Sequence, residues 1–109
     1  EEMIIATTFD RAKQRIKWHF GETESFYLYN TISKSIDVLS CDLFSHRDLI
    51  AYLSSLDVEV LICGDIPDTD VSFLKQSHIE VIMGVEGKPR EAIRKYLEGE
   101  LKGNASLHP

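Results

Sequence analysis

Cysteine, proline and long apolar runs are all scarce in this chain of 109 residues. Its two cysteines, Cys41 and Cys63, are too few for a secreted scaffold held by disulfides, so we expect reduced thiols. No apolar stretch approaches the roughly 20 residues of a membrane-spanning helix, and no signal peptide is visible. These absences predict a cytoplasmic protein that does not bind membranes.

Positive charge is scarce overall but concentrated in one segment. The formal net charge of −6 argues against non-specific binding to nucleic acid. Yet four of the 12 basic residues lie close together with no acidic residue among them: Arg11, Lys13, Arg15 and Lys17. A local cationic segment on an acidic protein suits a discrete anionic ligand, although a basic series is more often the solvated face of a loop.

Apolar and β-branched runs predict five strands, and helical spacing predicts three helices. The run at 58–64 is apolar enough to be covered on both faces, and it ends in a glycine turn that leads to a helix. The other predicted strands span 3–8, 25–30, 35–40 and 79–84. The helices are predicted to begin after Ser45, near Asp68 and near Pro89. We expect one α/β domain over residues 1–102, followed by a flexible tail at 103–109.

A polar segment at 9–24 separates the first two predicted strands. Loops of this length in compact domains are usually functional or disordered. Its last part, Trp18-His19-Phe20-Gly21, is too aromatic for a disordered loop. The segment is therefore a candidate functional loop.

Several motifs resemble the dinitrogenase iron–molybdenum cofactor biosynthesis family. They are His19-Phe20-Gly21 before an aromatic strand, Gly84-Val85-Glu86-Gly87 before the last helix, and the YLEGEL sequence at 96–101. The resemblance covers residues 3–101. It implies a three-layer α/β domain with a ribonuclease H-like fold, whose five-stranded mixed sheet has the order 3-2-1-4-5 and an antiparallel second strand.

The resemblance also implies ligands. His19 corresponds to the family histidine that is associated with holding a cluster. His46 lies where family members carry another histidine, but Ser45 and Arg47 replace the flanking glycines. The family's Asn-Pro-His segment is not matched at 41–44. Asp65 stands where the family often has glycine, and an added carboxylate there could weaken the binding of an anionic cluster.

The implied strand order gives these residues a common location. Strands one, three and four would be parallel, so the loops after them share one edge of the sheet, where a crevice is expected between strands one and four. Those loops carry the predicted metal ligands His19, Cys41 and His46, together with Gly64, whose turn would allow close approach of a cofactor. Imidazole and thiolate are suitable ligands for iron–sulfur clusters. The predicted cofactor-binding set is completed by Arg15 and Lys17, which could screen the charge of a thio-metal cluster.

Ordinary structural roles are open for each of these residues. His19 could be a packed loop histidine, and His46 could simply flank its helix. Cys41 could be an inert thiol, since it lacks a CxxC partner, and Cys63 is better explained as core packing. The sequence leaves these alternatives undecided.

The predicted function is that of a non-enzymatic domain that binds or carries an iron–sulfur or iron–molybdenum–sulfur cluster. Its expected partners are the cluster and a cofactor-assembly or acceptor protein. The alternative is a protein–protein interaction module of the same fold that no longer binds a cluster. A ribonuclease H-type nuclease is a weaker idea, because the strand at 3–8 carries none of the carboxylates needed to hold two metal ions.

Overall fold

The computed structural model describes residues 2–101, so the tail predicted at 103–109 lies outside the described residues. The strands are β1 (Ile4–Phe9), β2 (Ser25–Asn30), β3 (Ile36–Ser40), β4 (Val60–Ile62) and β5 (Glu80–Ile82). The helices are α1 (His46–Ser55), α2 (Asp68–Gln76) and α3 (Pro89–Leu97), and a short 3-10 turn spans Phe20–Glu22. Within the described range, no helix is both long enough and apolar enough to cross a membrane.

The five strands form one mixed sheet in the order β3-β2-β1-β4-β5. β2 is antiparallel to both of its neighbours, whereas β1, β4 and β5 are parallel. The predicted order 3-2-1-4-5 and the antiparallel second strand are therefore confirmed, and with them the ribonuclease H-like arrangement. The carboxyl ends of β1, β3 and β4 lie at the same edge of the sheet.

Apolar side chains pack on both faces of the sheet and produce three layers. In β4, Leu61 faces the core beneath α1 and α2, while Val60 and Ile62 face the core beneath α3. All three are buried, which confirms the prediction that this strand is covered on both sides. The first core is built around Phe20, Phe26, Leu49, Leu53 and Leu74, and the second around Ile5, Phe9, Tyr27, Ile82 and Ile93.

Local signals place the helix starts correctly. The Ser45 side chain accepts a hydrogen bond from the Asp48 backbone N–H at 3.1 Å, which confirms Ser45 as the N-cap of α1. Pro89 opens α3, as its lack of a backbone N–H permits. The starts of α1 and α3 are thus each set by a residue at or next to the first turn.

Helical spacing predicts two side chains to be inward that the structure exposes. Phe73 in α2 is 45% exposed, and the guanidinium of Arg47 lies 5.8 Å from its ring centre. Leu97 in α3 is 49% exposed and lines an open groove beside Tyr29 and Ile36. Both predictions were wrong because the spacing defines a face of a helix but not how far the neighbouring layer extends over it.

Candidate functional site

The long loop after β1 returns to the sheet at the end of β4. Asp65 donates its backbone N–H to the Trp18 carbonyl at 2.6 Å, and its own carbonyl accepts from the Phe20 N–H at 2.9 Å. His19 and Asp65 thereby form a parallel bridge that extends the sheet beyond β4. The loop that carries the predicted ligand is therefore fixed by backbone hydrogen bonds to the adjacent strand end.

The basic part of this loop is a tight turn. Asp10 and Arg15 form an antiparallel bridge, and the Asp10 carboxylate accepts from the Lys13 N–H at 3.1 Å. Gln14 within the turn has a left-handed φ of 57°. Ile16 is buried, and its N–H donates to the Gly87 carbonyl at 2.8 Å. The charged side chains are thus presented from an anchored hairpin.

His19 is half-exposed at the carboxyl edge of the sheet. Its Nδ1 lies 3.3 Å from Asp65 Oδ2. Because an ionised carboxylate only accepts hydrogen bonds, this contact favours a proton on Nδ1 and leaves the lone pair of Nε2 for another group. The carboxylate that the sequence suggested as a hindrance to an anionic ligand therefore also orients the candidate ligand.

One cavity unites His19 with the basic residues. It has a volume of about 380 Å³, and Arg15, Lys17 and His19 all line it. Lys13 adds a third cation, but three carboxylates also contribute: Asp10, Glu22 and Glu86. The structure thus brings together three of the predicted site residues in a cavity of mixed charge.

His46 lies in a different place but touches the same loop. It is the first residue of α1, and its ring packs edge-on against Phe20 with 6.1 Å between centroids. A Cβ on Gly21 would stand only 2.1 Å from His46 Nε2, so this contact requires glycine. His46 lines a groove of about 630 Å³ between α1 and α2, whereas His19 lines the cavity of mixed charge.

The imidazole of His46 has a short contact with a buried carboxylate. Its Nδ1 lies 2.6 Å from Oδ2 of Asp70, a residue in the first turn of α2 that is only 6% exposed. No sequence pattern indicates this pair, because an aspartate at position 70 is typical of the N-terminus of a helix. His19 and His46 therefore each have Nδ1 against an aspartate.

Both cysteines are buried. Cys41 is 2% exposed, and its thiol donates a weak hydrogen bond to the Thr23 carbonyl at 3.8 Å. Burial, with smaller contributions from Asp42 and Glu24, raises the pKa of Cys41 to about 11. Burial and the nearby Asp65 raise the pKa of Cys63 to about 12. Neither thiol is therefore a ready thiolate ligand at neutral pH.

The space above Gly64 is filled by the Trp18 indole. A Cβ at this buried glycine would lie 2.2 Å from Trp18 Cε3. Close approach is indeed made at Gly64, but by a side chain of the same protein. Trp18 itself is half-exposed, and it is the chain's single tryptophan.

Over residues 2–101, no group of three or more histidine, cysteine, aspartate or glutamate side chains is placed to hold a metal ion. The ligand roles of His19, Cys41 and His46, and the contact roles of Gly64, Arg15 and Lys17, stay predictions. Their positions are now defined: His19, Arg15 and Lys17 line the cavity of mixed charge, His46 lines the groove between α1 and α2, and Cys41 and Gly64 are buried.

Several solved structures share this fold. The protein PH0822 superposes with a TM-score of 0.83 at 22% identity, over 94% of this chain and 95% of its own. The apo form of the orange protein from Desulfovibrio gigas gives a TM-score of 0.85 at 17% identity, over 94% and 93%. A protein from Methanocaldococcus jannaschii gives 0.76 at 20% identity, over 94% and 95%. At these identities the likeness establishes the fold alone.

Sequence comparison identifies the family. Among curated protein sequences, none matches this chain. Residues 2–99 match the family described as dinitrogenase iron-molybdenum cofactor, a range that includes the two histidine–aspartate pairs and the cavity of mixed charge. The protein therefore belongs to the dinitrogenase iron-molybdenum cofactor family.

Proposed function

We propose that this protein is a non-enzymatic carrier of an anionic metal–sulfur cluster of the iron–sulfur or iron–molybdenum–sulfur type. The cluster is its cargo, delivered by or to a cofactor-assembly or acceptor protein. His19 is the principal ligand, and Arg15 and Lys17 compensate the negative charge of the cargo. Membership of the dinitrogenase iron-molybdenum cofactor family supports the class of cargo.

The observation that carries this proposal is the shared cavity of His19, Arg15 and Lys17. An imidazole with Nδ1 held by a carboxylate is the usual form of a histidine that binds a metal through Nε2. Cationic side chains beside it favour an anionic complex over a bare metal cation. The chemistry of the donor set therefore fits a thio-metal anion that is held by few ligands.

The cavity is open and its histidine is half-exposed, which suits a cargo that must be released. His46 is a second ligand candidate, since its tip lies over Gly21 in the same loop. Cys41 is less well suited, because a ligand thiolate would have to form at a buried site where the pKa is raised to about 11. We therefore propose that the histidines bind the cargo in preference to Cys41.

Anaerobic reconstitution tests the proposal. The protein is incubated with ferrous iron, sulfide and tetrathiomolybdate, desalted, and examined by visible absorbance and by iron and molybdenum counting. We expect uptake by the wild type, with a change in Trp18 fluorescence because this indole adjoins His19. We expect His19→Asn to lower the affinity about tenfold or more, as losing a ligand costs at least as much as losing its outer partner.

A matched control shows whether the loss of binding is specific to His19 or follows from the removal of any histidine. His78, an exposed residue with a left-handed φ of 64°, accommodates asparagine well. We expect His78→Asn to bind like the wild type. Equal uptake by wild type and His19→Asn would refute the site, and no uptake by the wild type would refute the carrier function.

The three carboxylates in the same cavity favour a second candidate function. Asp10, Glu22 and Glu86 oppose an anionic cargo there, as expected of an interaction module that has kept the fold without the cluster. This candidate predicts that wild-type protein takes up neither iron nor molybdenum. It also predicts a stoichiometric protein complex that forms equally well in the presence of a metal chelator.

A further inference from the structure

The pair formed by His46 and Asp70 stands out among the polar contacts of the described residues. Nδ1 and Oδ2 are 2.6 Å apart, although the two residues are separated by 24 positions in sequence and belong to different helices. Asp70 is 6% exposed, while the His46 side chain is half-exposed. A buried carboxylate is costly unless it is hydrogen-bonded, so this contact fixes both partners.

The contact also favours one position for the imidazole proton. An ionised carboxylate accepts hydrogen bonds and donates none, so a hydrogen bond from the ring to an ionised Asp70 places the proton on Nδ1. A neutral His46 then has an unprotonated Nε2. That atom lies over Gly21, at 2.1 Å from the place a Cβ would occupy. The edge of Phe20 restrains the ring from another direction.

We infer that Asp70 is a positioning residue that holds the imidazole of His46 as the Nδ1–H tautomer, with the Nε2 lone pair beside Gly21 in the loop that carries His19. This inference rests on the proposed function, in which His46 is the second candidate ligand of the thio-metal cargo. Asp70 itself does not touch the cargo. Its effect passes through the orientation and tautomer of His46.

Asp68 offers a matched control for the structural role of Asp70. Both aspartates lie in the first turn of α2, where negative charge favours the helix N-terminus. Asp68 is exposed, whereas Asp70 contacts His46. A substitution of Asp68 therefore reports the contribution of helix charge, and only a substitution of Asp70 should change the imidazole of His46.

Long-range ¹H–¹⁵N NMR of the histidine rings tests the inference without any metal. Spectra are recorded at about pH 8.5, where histidine is ordinarily neutral, and the His46 signals are assigned with His46→Gln. We expect the wild type and Asp68→Asn to show His46 protonated on Nδ1. Asp70→Leu removes the acceptor, so its His46 should shift to the Nε2–H form or to a tautomer mixture.

A second variant allows for poor folding of the first. Asp70→Asn keeps the shape of the side chain but adds a donor, so it should also give a mixture of tautomers. An unchanged Nδ1–H tautomer in a folded Asp70 variant would overturn the inference. So would a tautomer shift of equal size in Asp68→Asn.

Titration with tetrathiomolybdate and ferrous iron then links the tautomer to cargo binding. We expect Asp70→Asn to bind about 10-fold to 100-fold more weakly than the wild type, and Asp68→Asn to bind equally well. Equal affinity of Asp70→Asn and wild type would overturn the role of Asp70 toward the cargo. If the wild type takes up nothing, the carrier function fails, while the NMR result still decides the tautomer assignment.

Discussion

Cys41 and Cys63 are both buried thiols with raised pKa values, although each follows a strand whose carboxyl end lies at the same edge of the sheet. Desolvation is the largest cause in each case, and nearby carboxylates add to it. Such thiols behave as small apolar side chains at neutral pH. Residue type alone therefore says little about a cysteine's chemistry, which is set by the surrounding dielectric and charge.

The raised pKa of Cys41 predicts a loss of stability at alkaline pH. The thiol ionises near pH 9.0 when unfolded and near pH 11 when folded, so its contribution is complete below about pH 9 and disappears as pH rises to about 11. We expect the free energy of unfolding to fall by about 1 to 2 kcal/mol over this pH range. This is less than about 1.4 kcal/mol for each unit of the pKa shift, because local opening lets water reach the thiolate.

Urea unfolding of wild type and Cys41→Ala across this pH range measures the effect. Tyr96 also makes stability depend on pH in this range, because burial raises its pKa from 10.0 to about 12. The relevant quantity is therefore the difference in the free energy of unfolding between the two proteins. We expect the difference to narrow with rising pH. If the free energies of unfolding of the two proteins changed in parallel with pH, Cys41 would have the same pKa in the folded and unfolded states, and the prediction would be wrong.

At the scale of elements, short local signals hold the parts that carry the site. The N-cap Ser45 immediately precedes His46, so the cap fixes the backbone from which this imidazole projects. In the same way, the bridge between His19 and Asp65 ties the long loop to the end of β4. The candidate ligands are thus attached to element ends that have their own hydrogen bonds.

Removing the cap should destabilise α1. We expect Ser45→Ala to lower the free energy of unfolding by about 1 kcal/mol, because the Asp48 N–H loses its acceptor. Ser54→Ala, at an exposed position within the same helix, should change stability by less than about 0.5 kcal/mol. Urea unfolding monitored by circular dichroism compares the two. Equal effects would mean that the cap contributes nothing specific.

At the scale of the whole molecule, the distribution of charge matters more than its sum. The chain carries a net charge of −6, yet Lys13, Arg15 and Lys17 meet beside His19 in one cavity. Exposed charges act over about a Debye length of 8 to 10 Å at moderate salt. The field that an anionic cargo meets at this cavity is therefore set by these cations and by the three carboxylates that also line it, Asp10, Glu22 and Glu86, more than by the net charge of the chain.

Neutralising two of these cations should weaken cargo binding. We expect Arg15→Gln combined with Lys17→Gln to lower the affinity for tetrathiomolybdate about threefold to tenfold, since each exposed charge contributes about 0.2 to 1 kcal/mol. The salt dependence of uptake should also become shallower. Lys75→Gln combined with Lys95→Gln, which removes two charges at exposed positions on α2 and α3, is the control for net charge. A similar loss of affinity with this control would argue for a non-specific charge effect.

Much of the fold could be predicted because its signals are local. Apolar runs, helical spacing, the Ser45 cap and Pro89 each act within about one turn or one strand, so the sequence itself determined which segments are strands and where helices begin. The burial of both faces of β4 was predictable for the same reason, because it follows from the apolar residues of that one run. The strand order came from the family resemblance, which draws on the whole chain.

The contacts of the candidate site were decided only by tertiary structure. Asp70 meets His46, and Trp18 covers Gly64, across separations that no periodicity encodes. Likewise, spacing predicted Phe73 and Leu97 as inward, but the extent of the adjacent layer left them exposed. A local pattern determines the face of a helix or strand on which a side chain lies. The partner of that side chain, and therefore its chemistry, depends on how strand order and helix packing bring distant segments together.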